Sequence, residues 1–63
     1  MKNFNDKIDD LIKDEQEAID GYNEFLDSIK DNKDFKSIQR IIDDIIYDER
    51  QHKSILKEMK SNV

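Results

Sequence analysis

The chain has no cysteine, no proline and no tryptophan, and it has a single glycine. Without cysteine there is no disulfide, zinc ribbon, thioredoxin-type motif or iron–sulfur cluster within its 63 residues. Without proline nothing breaks a helix internally, and Gly21 costs a helix only about 1 kcal/mol. Long apolar runs are also missing: no stretch approaches membrane-spanning length, and Met1-Lys2-Asn3-Phe4-Asn5-Asp6 lacks the apolar centre of a signal peptide. A soluble, cytoplasmic protein is the expectation. Basic residues are outnumbered, 11 against 16 acidic ones, for a net charge of −5. That balance disfavours nucleic acid as a partner and favours cations.

What is present is a helical period. Apolar residues recur at Ile8, Ile12, Ile19, Leu26 and Ile29, alternating steps of four and three, with Glu15 and Tyr22 at the places between them. A second run comprises Ile38, Ile42, Ile45, Leu56 and Met59, and Glu49 and His52 occupy its two missing steps. The spacing predicts one domain over residues 1–63, all-α, with a helix over about 5–30, a turn at 31–34 and a helix over about 34–60. Asn5 or Asp6 would cap the first helix. The turn, Asp31-Asn32-Lys33-Asp34, is too short for a crossover, so the helices should form an antiparallel hairpin, roughly 40 Å long at 1.5 Å per residue.

Three ionisable residues interrupt the two apolar stripes without shifting their phase. A carboxylate or imidazole taken out of water without a partner costs several kcal/mol, and this chain has ample polar surface to hold such groups instead. A compensating cation resolves the conflict. Folding the chain back at residues 32 and 33 sets Glu15 level with residue 50, between Glu49 and His52. Glu-x-x-His alone is a weak signal; its place in the stripe and its level with Glu15 make it specific.

Two helices cannot enclose a seam, and a chain of this size needs a metal or a partner for stability. A homodimer is therefore expected, two hairpins forming a four-helix bundle. It would gather one Glu from each of two helices and a Glu-x-x-His from each of the others, the ferritin-like di-iron or di-manganese arrangement. Carboxylates can bridge two cations while imidazole binds terminally; Fe, Mn, Co and Zn all accept such ligands. Tyr22, two turns from Glu15, is placed either to assist the metals or simply to pack. Asp14 and Glu17 flank Glu15 and are placed either as a cation entry path or as solvated helix surface.

The runs Asp14-Glu15-Gln16-Glu17-Ala18-Ile19-Asp20-Gly21-Tyr22-Asn23 and Asp48-Glu49-Arg50-Gln51-His52 resemble the encapsulated ferritins, half-size relatives of ferritins and rubrerythrins. The resemblance implies a di-iron ferroxidase that oxidises Fe(II) with O2 for iron storage or detoxification. Glu15, Glu49 and His52 would be metal ligands from both subunits, Tyr22 a catalytic neighbour, and Asp14 and Glu17 the entry site. It also implies a ring of dimers inside an encapsulin shell. Members of the family carry an aromatic residue where Gly21 stands, and a C-terminal extension that addresses them to the shell. This sequence ends at Ser61-Asn62-Val63, a departure that bears on the ring and the shell and leaves the dimer and its metals untouched. Rubrerythrin-like peroxidase or manganese catalase-like activity on the same framework, and a non-enzymatic metal-stabilised dimerisation module, are the alternatives.

Overall fold

In the computed structural model, which describes residues 3–61, the chain is all-helical: α1 spans Phe4–Ser28 and α2 spans Phe35–Ser61. The readings that fall on Met1, Lys2, Asn62 and Val63 lie outside the described residues. Helix α1 starts within one residue of the expected position, but its cap is neither Asn5 nor Asp6. Asn3 is the cap, its side-chain oxygen accepting the Asp6 backbone N–H at 2.8 Å. Asn3 is better placed than Asn5 or Asp6 because a cap must precede the donors it satisfies, and Asp6 then lies in the first turn, where a negative charge suits the helix dipole.

The helix also stops sooner than the apolar spacing alone suggests. The Ser28 hydroxyl turns back to the Phe25 carbonyl at 2.6 Å, and Ile29, the last member of the first stripe, leaves the helix as its C-cap while staying half-buried. Side-chain hydroxyls bonded to the preceding turn compete with the ladder in this way. The connection that follows is held by local bonds. Asn32 N–H donates to the Ile29 carbonyl, Asn32 Oδ1 accepts from Asp34 N–H at 2.8 Å, and Phe35 N–H donates to the Asn32 carbonyl. Asn32 thus organises the bend that turns α2 back along α1.

The Cα trace measures 48 × 20 × 9 Å, a slab one helix thick. Its core is correspondingly small. Ile8, Ile19 and Leu26 of α1 and Ile46 of α2 are the buried apolar residues, and no side chain among those described is sealed completely. On α1 the inward line is the expected one, with Ile12, Glu15, Tyr22 and Ile29 half-buried beside the buried three. On α2 the expected line holds in part: Ile38, Ile42, Ile45, Glu49 and Leu56 are half-buried, but the buried residue is Ile46, and Lys53 and Lys60 are half-buried where His52 and Met59, both exposed, were expected. Helix α2 carries isoleucine at both candidate phases, so spacing alone leaves its angle to α1 undetermined, and packing of Ile46 selects one.

The two sides of the slab differ in chemistry. On one, Lys53 donates to Gln16 and Lys60 pairs with Asp9 at 2.7 Å, so long polar side chains bridge the helices. On the other, Leu11 and Ile55 remain about half exposed, at 48% and 54%, and Phe25 at 45%. Leu11, Ala18 and Phe25 recur every seven residues along this second side of α1. Ile38, Ile45, His52 and Met59 do the same on α2. No helix among the described residues is long and apolar enough to cross a membrane.

Candidate metal centre

Glu15 lies at mid-length of α1, and the i, i+3 pair Glu49 and His52 meets it from α2. Each of the three offers a ligand atom, an oxygen from either Glu and a nitrogen from His52, and these atoms lie within 4.8 Å of one another. His52 Nδ1 stands 3.6 Å from Glu15 Oε2, too far for a hydrogen bond. That Glu15 oxygen is shut off from solvent and has no hydrogen-bond partner. A buried carboxylate oxygen without a donor is a costly arrangement, and a cation held between Glu15, Glu49 and His52 removes the cost.

The Glu49 carboxyl is held above the usual carboxylate range. The main cause is its hydrogen bond with Glu15; partial burial and the Glu15 charge act the same way, His52 opposes them, and Asp48 adds a small push. A hydrogen bond between two carboxyl groups needs a proton on one of them. A divalent cation between the two carboxylates would neutralise both at once, so the donor set fits a metal on chemical grounds. The two oxygens and one nitrogen suit Fe(II), Mn(II), Co(II) or Zn(II), and one hairpin supplies too few ligands to close the coordination of any of them.

The surroundings place the cluster on the apolar side of the slab. Glu15 and His52 share a shallow groove of about 270 Å³ with Leu11, Ile55 and Leu56. Beyond it along the same side, Tyr22 lines a hollow of about 510 Å³ with Ala18, Gly21, Phe25 and Ile42. Gly21 has no atom within 4 Å of where a Cβ would stand, so this hollow is open where a side chain would otherwise fill it. Tyr22 is half-buried there. Among the described residues the structure joins Glu15, Glu49 and His52 in one group that could share an ion; Tyr22 has no part in it, and Asp14 and Glu17 stand exposed on α1.

Sequence reasoning missed the apolar collar around the cluster, although the seven-residue recurrence of Leu11, Ala18 and Phe25 is a signal that could have shown it. It also missed the polar bridges on the far side, whose partners, Gln16 with Lys53 and Asp9 with Lys60, are distant in sequence. Compared with known proteins, the chain matches no family model, no curated protein and no solved structure.

Proposed function

We propose that the hairpin forms a homodimer through its apolar side and that the dimer is a di-iron ferroxidase, using O2 to oxidise Fe(II) for iron storage or detoxification. The observation that carries this reading is the solvent-excluded, unbonded Glu15 oxygen held against Glu49 and His52, at mid-length on an uncovered apolar side. Because Glu15 lies near the middle of α1, a two-fold axis through the cluster brings the matching residues of a second copy to the same place. Each copy would add two carboxylates and one imidazole.

In this dimer the protein's work is placement and charge. Glu15 and Glu49 of the two copies would hold two Fe(II) substrate ions and offset their charge with four carboxylates. His52 would bind through one ring nitrogen, and its other ring nitrogen would need an acceptor that the second copy could supply. The redox balance is simple: two Fe(II) give up one electron each, and O2 takes both with two protons to become hydrogen peroxide. The apolar collar of Leu11, Ile55 and Leu56 would exclude water around the ions once a second hairpin covers it. Asp14 and Glu17, on the exposed face of α1 beside Glu15, are the residues we assign to cation entry, and Tyr22 to the neighbourhood of the metals. Assembly of such dimers into a ring within an encapsulin shell is part of the same proposal, on the resemblance alone.

Anaerobic addition of Fe(II) followed by air, with mass and absorbance recorded together, tests the reading. One iron bound per chain, a doubling of mass and rapid oxidation are expected. A protein that takes up no iron removes the proposal. Peroxide consumption faster than oxidation of Fe(II) by O2 would replace it with the peroxidase reading, and metal-dependent stability without turnover would leave a dimerisation module.

A further inference from the structure

The polar side of the slab carries a feature that the metal reading does not use. Arg50, Lys53, Ser54 and Lys57 recur at three- and four-residue steps along one face of α2. With Gln16 and Ile19 of α1 they line a groove of about 260 Å³. Arg50 and Lys57 stand two helical turns apart, about 10 Å along the axis. Lys53 reaches across to Gln16 Oε1, and Gln16 is fixed in turn by donating through Nε2 to Asp20 at 2.9 Å. The wall of the groove is therefore preset by a neutral amide and an anchored ammonium.

The charge pattern there runs against that of the whole chain. Acidic residues outnumber basic ones 16 to 11, yet three cations and no carboxylate line this groove. Lys30 pairs with Asp27 and Lys60 with Asp9. Among the described residues Arg50 and Lys57, like Lys7, Lys13, Lys33, Lys36 and Arg40, form no ion pair or side-chain hydrogen bond; what sets Arg50 and Lys57 apart is that they line one groove with Lys53, while Asp20, which accepts from the Gln16 amide, keeps its charge outside the lining. Two unpaired cations, a third held by an amide and a hydroxyl converge on one concave surface. This is the donor set that recognises a tetrahedral oxyanion: a planar guanidinium fork, point-charge ammonium groups and an O–H donor.

We propose that the groove between Gln16 and the Arg50, Lys53, Ser54, Lys57 face of α2 is a binding site for a phosphate-sized oxyanion. The volume holds one such ion with several waters, each water taking roughly 30 Å³. The site stands on different residues and on the opposite side of the hairpin from Glu15, Glu49 and His52, so it is independent of the ferroxidase reading.

Titration of the metal-free full chain with sodium phosphate at constant ionic strength, balanced with chloride and followed by amide and side-chain NMR shifts, tests it. Saturable shifts are expected at Arg50, Lys53, Ser54, Lys57 and the Gln16 side-chain amide. Each removed charge, in Arg50→Gln and Lys57→Gln, should weaken binding about tenfold, and the double variant should lose saturation. Both side chains are exposed, so the variants should fold, while Lys33→Gln and Lys36→Gln should bind phosphate as before. Glycerol 1-phosphate in a parallel titration separates the sources: equal shifts assign the phosphate group of organic esters as well, and shifts with inorganic phosphate alone restrict the site to the free ion. Shifts that follow ionic strength alone, spread over all lysines, or persist unchanged in the double variant overturn the proposal.

Discussion

The two sides of this hairpin are built from the same two helices and meet along the same seam, yet they solve opposite problems. On the polar side Lys53 reaches Gln16 and Lys60 reaches Asp9, so side chains of one helix bond to the other. On the apolar side Leu11, Phe25 and Ile55 close nothing, and three ligand-type residues sit among them. A single chain makes these two bridges by itself. The apolar side is left with exposed apolar surface and a buried oxygen lacking a donor, two deficits that a second copy and a cation would remove together. The hairpin thus bridges its helices through polar contacts on one side and leaves apolar surface uncovered on the other.

The largest effect should come from the ligands. Glu49→Ala and His52→Ala should each lower Fe(II) oxidation by more than about a hundredfold in stopped-flow absorbance, since even outer-shell changes at metal sites cost ten- to hundredfold. Unchanged rates would place the chemistry elsewhere. Next comes the apolar side itself. Ile55→Lys changes an exposed residue, so in an isolated hairpin it should cost no more than about 0.5 kcal/mol. In a dimer that buries Ile55 it should cost about 2 kcal/mol or more and shift sedimentation toward the monomer. Equal sedimentation of the wild type and the variant would remove the apolar side as an interface.

The acid pair gives the comparison a pH axis. Glu49 is raised in the folded chain, so the native state holds a proton that the unfolded state has already lost over the window just above the ordinary carboxylate range. Stability of the metal-free protein is therefore greatest below that window and declines as pH rises through the raised value. Thermal melts across pH 4 to 8 should show the decline, and Glu49→Gln, which keeps a donor toward Glu15 at every pH, should flatten it. Added Fe(II) or Zn(II) should restore the stability lost at neutral pH, and a melting temperature indifferent to metal there would separate the acid pair from any cation role.

Gly21→Ala sharpens the comparison in a different way. Nothing lies within 4 Å of the new Cβ, so the isolated hairpin should gain about 0.5–1 kcal/mol in denaturant melts. If a second copy fills the hollow beside Tyr22, the same change should weaken dimerisation. The smallest effect belongs to the polar side, where Asp9→Ala or Lys60→Ala removes an exposed ion pair. Each should shift stability by less than about 1 kcal/mol and fade with salt. A larger loss would show that the polar bridges hold the helices together more than the small apolar core does.

The agreement between sequence and structure is instructive at the level of single residues. Glu15 could be placed level with Glu49 and His52 from counting, because helix rise is constant and the turn is short. The inward line of α1 could be read because its apolar residues occupy one phase. That of α2 could be read in part, through Ile42, Glu49 and Leu56; Ile45 and Ile46 offer two phases, and the packing of Ile46 against α1 chose between them. His52 stands at the rim, its side chain 55% exposed, while Glu49 keeps its expected place beside Glu15. Asn3 as the cap was missed because Asn3, Asn5 and Asp6 are all capable residues, and the choice depends on where the first turn of helix begins.

By itself the sequence determined two helices, their antiparallel return and the height at which two carboxylates and one imidazole meet, since periodicity and turn length are local properties of the chain. Only the tertiary structure decided how far α2 is rolled against α1. That roll left one Glu15 oxygen without a donor and drew Arg50 and Lys57 to the opposite groove. The roll is a matter of which isoleucine fits between which, and such fits depend on atoms that are neighbours in space and strangers in sequence.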